Sequence, residues 1–115
     1  MTRPLVSVVM PVFNTKKWLG EAVEGILSQT LNDFEFIIID DCSTDGSYEL
    51  LQEYAEKDHR IQLYRNEKNF GVAFTKSRAI ALSTTDYLAS QDSDDSSFPE
   101  RLQLQYDFLE QHKDF

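Results

Sequence analysis

The chain has 115 residues, with 11 Lys and Arg against 20 Asp and Glu, a formal net charge of −9, and 41% hydrophobic residues. Such a length supports one domain with a modest core, and the charge argues against nucleic acid as the main partner, because phosphate neutralisation needs Lys and Arg. The single cysteine, Cys42, excludes an intrachain disulfide and a cysteine-based zinc cage, and fits a reducing compartment.

Leu5–Val12, "LVSVVMPV", is apolar at nearly every position and rich in β-branched residues, the pattern of a strand covered on both faces. It is too short to span a bilayer and no small-residue cleavage site follows it, so neither a signal peptide nor a transmembrane segment is expected. Residues 16–30 then place Trp18, Leu19, Ala22, Val23, Ile26 and Leu27 on one helical face, weakened somewhat by Gly20 and Gly25. Phe34–Asp40, "FEFIIID", is a second buried-strand pattern ended by "DCSTDGS". Ser47–Ala55 carries Tyr48, Leu50, Leu51, Tyr54 and Ala55 as a helical stripe, and Asp45 or Ser47 would cap it. Ile61–Arg65 is a short third strand, and "NEKNFG" is turn chemistry. Val72–Ser83 predicts a third helix with Ala73, Ala79, Ile80 and Leu82 inward. Asp86–Asp92 is a weaker fourth strand, after which Ser96 or Ser97 would cap a last helix with Leu102, Tyr106 and Leu109 as its apolar stripe.

Strands alternating with helices imply an α/β, three-layer αβα fold with a mostly parallel sheet and right-handed crossovers. Ligands in such sheets collect beyond the carboxyl ends of the strands. There the first strand ends in Pro11-Val12-Phe13-Asn14, the second in Asp40-Asp41-Cys42-Ser43 and the fourth in Asp92-Ser93-Asp94-Asp95, so acidic groups from two strands share one rim.

Three roles compete for the cluster Asp92, Asp94 and Asp95: a solvated loop, a helix N-terminus, or a cage for a divalent cation. Hard cations such as Mg²⁺ and Mn²⁺ take one or two carboxylates and fill the remaining positions with water and ligand phosphates. An Asp-x-Asp spacing on extended chain points both carboxylates the same way. A cation bridging Asp94 or Asp95 to a diphosphate would also bring an anion to an acidic protein. Asp40 and Asp41 are adjacent carboxylates at a strand tip, where one can accept from a nucleobase imide or ribose hydroxyls while Asp45 serves as a cap. Asp41, Ser43, Asp45 and Gly46 imitate the start of an EF-hand loop, but Gln52 stands where a bidentate Glu is required and a strand precedes the loop. No P-loop and no G-x-G-x-x-G occurs, and the further phospho-acceptor Asp of a receiver domain is missing after the third strand. His59 and His112 sit in polar surface contexts, and Cys42 has no His nearby to make it a nucleophile.

"VSVVMPVFNTKKWLGEAVEGILSQTLNDFEFIIIDDCSTDGS", then "RNEKNFGVA" and "DSDDSSFPERLQLQ", resembles the N-terminal, nucleotide-sugar-binding half of a family 2 glycosyltransferase of the GT-A, Rossmann-like fold. The resemblance runs from about Leu5 to the end of the chain. It implies that Pro11, Val12, Phe13 and Asn14 form the loop under the nucleotide, with Phe13 packed on the base. It implies Asp41 as acceptor from the base, most often uracil, with Ser43 beside it, and Lys76 near the diphosphate. Asp92-Ser93-Asp94 matches the family's D-x-D element, with Asp94 and Asp95 as ligands of Mn²⁺ or Mg²⁺ near the ribose and diphosphate. The implied activity is metal-dependent transfer, with inversion, of a sugar from a UDP-sugar to a glycan, lipid-linked or cell-surface acceptor. A nucleotide-sugar-binding fragment without turnover is the alternative. The implied location is cytoplasmic or peripheral to the inner membrane face. Cys42 stands where the family usually has Gly or Asn, a position tolerant of Cys if φ there is negative. Ser77-Arg78-Ala79, Thr85 and Ser90 also depart from the family pattern, in the region of the diphosphate contacts. Family catalytic domains run longer and supply an acidic general base later. The expectation is therefore one domain over residues 1–115, truncated on the C-terminal side and prone to self-association through its open sheet edge.

Overall fold

A computed structural model describes residues 3–112. Its elements alternate as expected: β1 (Val6–Val12), α1 (Lys16–Leu27), β2 (Phe34–Asp40), α2 (Ser47–Lys57), β3 (Ile61–Arg65), α3 (Val72–Leu82), β4 (Leu88–Ser90) and α4 (Arg101–Gln111). The strands form one parallel sheet in the order β3-β2-β1-β4. Val12, Asp40 and Arg65 are in register, so the loops that leave β1, β2 and β3 emerge at one level.

The alternation of side chains along β1 and β2 divides the core. Val8, Met10, Val12, Phe36 and Ile38 pack on Leu19, Ala22, Val23 and Ile26 of α1, Leu51 of α2 and Leu102 of α4. The opposite face holds the smaller set Val9, Ile37, Ile39 and Ala79, with Tyr64 and Leu82 at its margin, and α3 covers it. Each fully buried Leu, Ile, Val or Phe contributes roughly 1.5–3 kcal/mol.

Several predicted contacts differ. Trp18 is exposed beside Lys17, because α1 turns only Leu19, Ala22, Val23 and Ile26 fully inward. On α3, Ala73 and Ile80 are exposed and the buried residues are Thr75 and Ala79. The polar junction under the first turn sets the rotation of α3: Thr75 Oγ1 donates to the Gly71 carbonyl at 2.8 Å and accepts from Asn66 Nδ2 at 2.9 Å. The fourth strand is only Leu88–Ser90, and residues 92–95 close a turn in which the Asp95 amide donates to the Asp92 carbonyl at 3.2 Å. The D-x-D element therefore stands on a turn, not on extended chain. Neither Ser96 nor Ser97 caps α4; the helix starts at Arg101, and the Gln29 side chain, arriving from the end of α1, accepts from the Leu102 amide at 2.9 Å.

Candidate nucleotide-sugar site

A cleft of about 580 Å³ opens at the carboxyl ends of the strands and is lined by Pro11, Val12, Phe13, Thr15, Asp41, Asn69, Gly71, Val72, Thr75, Asp92, Ser93 and Asp94. Asp41 follows β2 at its base and is 2% exposed. Its Oδ1 accepts from Asn66 Nδ2 and from the Phe70 amide, and its Oδ2 from the Gly71 amide, all at 2.9 Å. Burial pushes this carboxyl up, but the hydrogen bonds from Asn66 and the two amides outweigh it and hold it below the ordinary aspartate value. Asp41 is nonetheless among the residues that line the cleft. Gly71 donates its amide from φ 96° and ψ 161°, a region essentially closed to residues with a Cβ.

Phe13, 44% exposed, forms one wall, a flat apolar surface of the kind on which a base packs. Asp92, Ser93 and Asp94 of the acidic turn line the cleft as well. Ser93 is buried and its Oγ accepts from Thr15 Oγ1 at 2.9 Å, which ties the turn to the start of α1. The exposed carboxylates of Asp92 and Asp94 accept no hydrogen bond from the described residues and remain open to a ligand. Asp95 points elsewhere: it does not line the cleft, and its Oδ1 accepts from the Ser96 amide at 2.9 Å. Among the described residues no group of three or more His, Cys, Asp or Glu could hold a metal ion by itself. Two hard oxygen ligands that leave other positions to phosphate suit Mg²⁺ or Mn²⁺ bound together with a diphosphate, so the residues fit the implied cation through Asp92 and Asp94.

Of the residues expected at the site, the cleft gathers Pro11, Val12, Phe13, Asp41, Asp92, Ser93 and Asp94, and leaves Asn14, Ser43, Lys76 and Asp95 outside its lining. Asn14 and Ser43 join the two loops instead: the Asn14 amide donates to Ser43 Oγ at 2.9 Å, and the Thr44 amide donates to Asn14 Oδ1 at 2.8 Å. Asp45 Oδ2 accepts from the Lys16 amide at 3.1 Å, while its Oδ1 accepts from the Ser47 amide at 3.0 Å, so one carboxylate serves the starts of α1 and α2. Asp40 faces away from the cleft's Asp41 side. Fully buried, it accepts at Oδ2 from the Ser43 amide at 2.8 Å with Arg65 Nε at 3.6 Å, and its Oδ1 has no hydrogen-bond partner among the described residues. Thr15, Asn69, Gly71, Val72 and Thr75 were not anticipated as cleft residues. Gly71, standing after "NEKNF" at the mouth of a helical pattern, was the one legible signal among them.

Residues 7–115 match Glycosyl transferase family 2. The chain belongs to that family. EpsE of Bacillus subtilis, named as a glycosyltransferase, is 42% identical over 113 residues, covering 97% of this chain and 41% of EpsE. The TarS 1–349 structure from S. aureus in complex with UDP-GlcNAc superposes with a TM-score of 0.87 at 26% identity, over 95% of this chain and 32% of that one. The mannosyltransferase PcManGT from Pyrobaculum calidifontis, in complex with GDP-Man and Mn²⁺, gives 0.78 at 25% identity over 91% of this chain and 31% of its own. The fold is thus GT-A, and the chain spans about two fifths of the length of the first relatives it matches. Cys42, where the family pattern prompted the question of backbone sign, lies at φ 65°, so the thiol residue sits in the left-handed region after all.

Proposed function

We propose that residues 1–115 act as one donor-binding domain that holds a nucleotide sugar, a UDP-sugar, with a divalent cation on its diphosphate, for transfer with inversion to a glycan or lipid-linked acceptor. One observation carries this reading: Asp41 and the exposed carboxylates of Asp92 and Asp94 line a single cleft from different strand ends. Asp41 would accept from the imide N–H of uracil, and Phe13 would pack on the base. Asp92 and Asp94 would hold Mn²⁺ or Mg²⁺, which when bound offsets charge developing on the leaving nucleoside diphosphate. TarS, with UDP-GlcNAc, and PcManGT, with GDP-Man and Mn²⁺, support the ligand class. The cleft's own carboxylates are committed to base and cation, so the general base for the acceptor is assigned to residues outside this set.

Titration calorimetry with UDP, with and without Mn²⁺, tests the reading. Mn²⁺ is expected to tighten UDP binding at least ~10-fold, as expected for a metal shared between protein and diphosphate, with Asp94→Ala abolishing the gain and GDP binding more weakly than UDP. Equal affinity with and without Mn²⁺ would overturn it. A donor-hydrolysis assay then separates transfer from binding without turnover.

No helix among the described residues is long and apolar enough to cross a membrane. A cytoplasmic site of action, peripheral to the membrane, belongs to the same proposal, as does a role in cell-surface polysaccharide synthesis. Leu88, Phe98, Leu104, Phe108 and Leu109 stand exposed where the edge strand β4 meets α4. Self-association through this edge is proposed with them, and a concentration-independent monomer in sedimentation equilibrium would overturn it.

A further inference from the structure

Behind the acidic turn, away from the cleft, lies a set of hydrogen bonds that the donor reading does not use. Gln91 is 3% exposed. Its Nε2 donates to the Asp92 carbonyl at 2.9 Å and to the Asp95 carbonyl at 3.0 Å, so one amide group grips both ends of the turn. Its Oε1 accepts from Arg101 Nη1 at 2.9 Å and from Ser97 Oγ at 2.5 Å, which fixes the amide in that orientation. Arg101, the first residue of α4, also donates to the Ser90 carbonyl at 2.6 Å and to Ser97 Oγ at 3.0 Å.

The charges add a second observation. Arg101 is attracted by Asp95 and Asp92, yet among the described residues it forms no ion pair within 4.0 Å. Its fork is anchored on neutral acceptors, namely a carbonyl, an amide oxygen and a hydroxyl. The guanidinium thereby relieves repulsion within the turn and leaves the Asp92 and Asp94 oxygens free for another cation. A direct Arg–carboxylate pair would consume those oxygens.

We propose that Gln91 and Arg101 are positioning residues that hold the Asp92–Asp95 turn in one shape, presenting Asp92 and Asp94 to a divalent cation carried by a nucleoside diphosphate. The cation half of this inference rests on the donor reading above; the bracing of the turn does not. Lysine cannot replace Arg101, because a point charge on a flexible stem cannot span three anchors held by a rigid fork. Partners behind metal ligands typically matter 10–100-fold in metal affinity.

The test uses Arg101→Lys and Gln91→Leu in two measurements. In the chain without ligand, NMR order parameters for the amides of residues 93–96 should fall from about 0.85 to below about 0.6 in both variants, while those of β1 and β2 hold. In UDP titrations, the Mn²⁺-dependent gain in affinity should shrink about 10-fold or more, while affinity for UDP without metal stays unchanged. Unchanged order parameters would overturn the bracing. Equal weakening with and without Mn²⁺ would reduce both residues to general supports of the fold and overturn the positioning role. If the unsubstituted chain shows no response to Mn²⁺, the donor reading falls and takes the cation half with it, and the order parameters decide the bracing on their own.

Discussion

Glu35 and Asp41 stand at opposite ends of β2, on the face covered by α3, and each ties one end of that helix to the sheet. Glu35 Oε2 accepts from Ser7 Oγ at 2.5 Å and from the Thr84 amide at 2.7 Å, and its Oε1 from Thr84 Oγ1 at 3.0 Å and Gln62 Nε2 at 3.3 Å. All four of its lone-pair directions are therefore taken. Asp41 accepts from Asn66 and the Phe70 and Gly71 amides, and it lines the cleft. Both carboxyls are pushed up by burial and brought lower than their ordinary values by hydrogen bonds. The same chemistry thus closes one end of the sheet and leaves the other able to accept a ligand. Backbone strain follows the same division. The positive-φ residues Asn14, Cys42, Gly46 and Gly71 all lie in loops at the carboxyl rim.

Asp41→Asn should break this symmetry most. The new amide keeps one oxygen that can still accept from Asn66 and Phe70, but its NH2 would be set against the Gly71 amide, leaving buried donors opposed at a cost of up to about 3 kcal/mol. A net loss of about 3 kcal/mol in denaturant unfolding, together with loss of UDP binding, is expected. Glu35→Gln should be milder, about 1–2 kcal/mol by the same reasoning, with UDP affinity unchanged. A Glu35→Gln chain that loses UDP binding would show that the two ends are not independent. Gly71→Ala comes next. The added Cβ meets nothing within 4 Å, so its effect is conformational alone, about 1–2 kcal/mol, and it should weaken UDP binding by displacing an amide that holds Asp41.

Acid should act on both ends together. Each carboxyl is below its unfolded value, about 4.5 for Glu35 and 3.8 for Asp41. Stability from such groups is fully present above the unfolded value and is lost as pH falls through the folded one. Unfolding free energy should therefore decline as pH drops from about 4.5, and Glu35→Gln should flatten the upper part of that decline. An unaltered slope would mean that Glu35 titrates alike in both states.

What the sequence could show depended on how local each cause is. The run Phe34–Asp40 matches β2 to the residue, because a parallel strand covered on both faces announces itself by composition, and the short alternating stretch Ile61–Arg65 matches the edge strand β3. The meeting of Asp41 with Asp92 and Asp94 followed from topology, since strand ends in a parallel sheet share a rim. The inward face of α3 was hidden, because hydrogen bonds among Thr75, Asn66 and Gly71 choose it over the larger apolar residues Val72, Phe74 and Ile80. The cap of α4 was hidden for a similar reason: Gln29 lies 73 positions before the amide it serves. Asn14 and Ser43 were legible as polar residues at the rim, but only the approach of two loops assigns them to each other rather than to a ligand.

The smallest expected effect isolates strain from function. Cys42 holds φ 65° with a Cβ present, which for an ordinary L-residue costs about 1–2 kcal/mol relative to right-handed backbone. Its thiol makes only a weak contact, 3.9 Å to the Glu67 carbonyl, and the residue does not line the cleft. Asparagine visits this region far more readily than other residues with a side chain, so Cys42→Asn should raise unfolding free energy by about 0.5 kcal/mol. Cys42→Val, branched at Cβ, should lower it by about 1 kcal/mol or more. Neither should shift UDP affinity by more than about twofold, since the αL residue stands one position past Asp41 and its side chain bonds to the loop after β3. Denaturation midpoints ranked Asn, Cys, Val with UDP titrations superimposed would confirm that the rim carries strain separable from binding. Midpoints that do not follow that order would show that the thiol's contact, not its backbone angle, sets the stability of this loop.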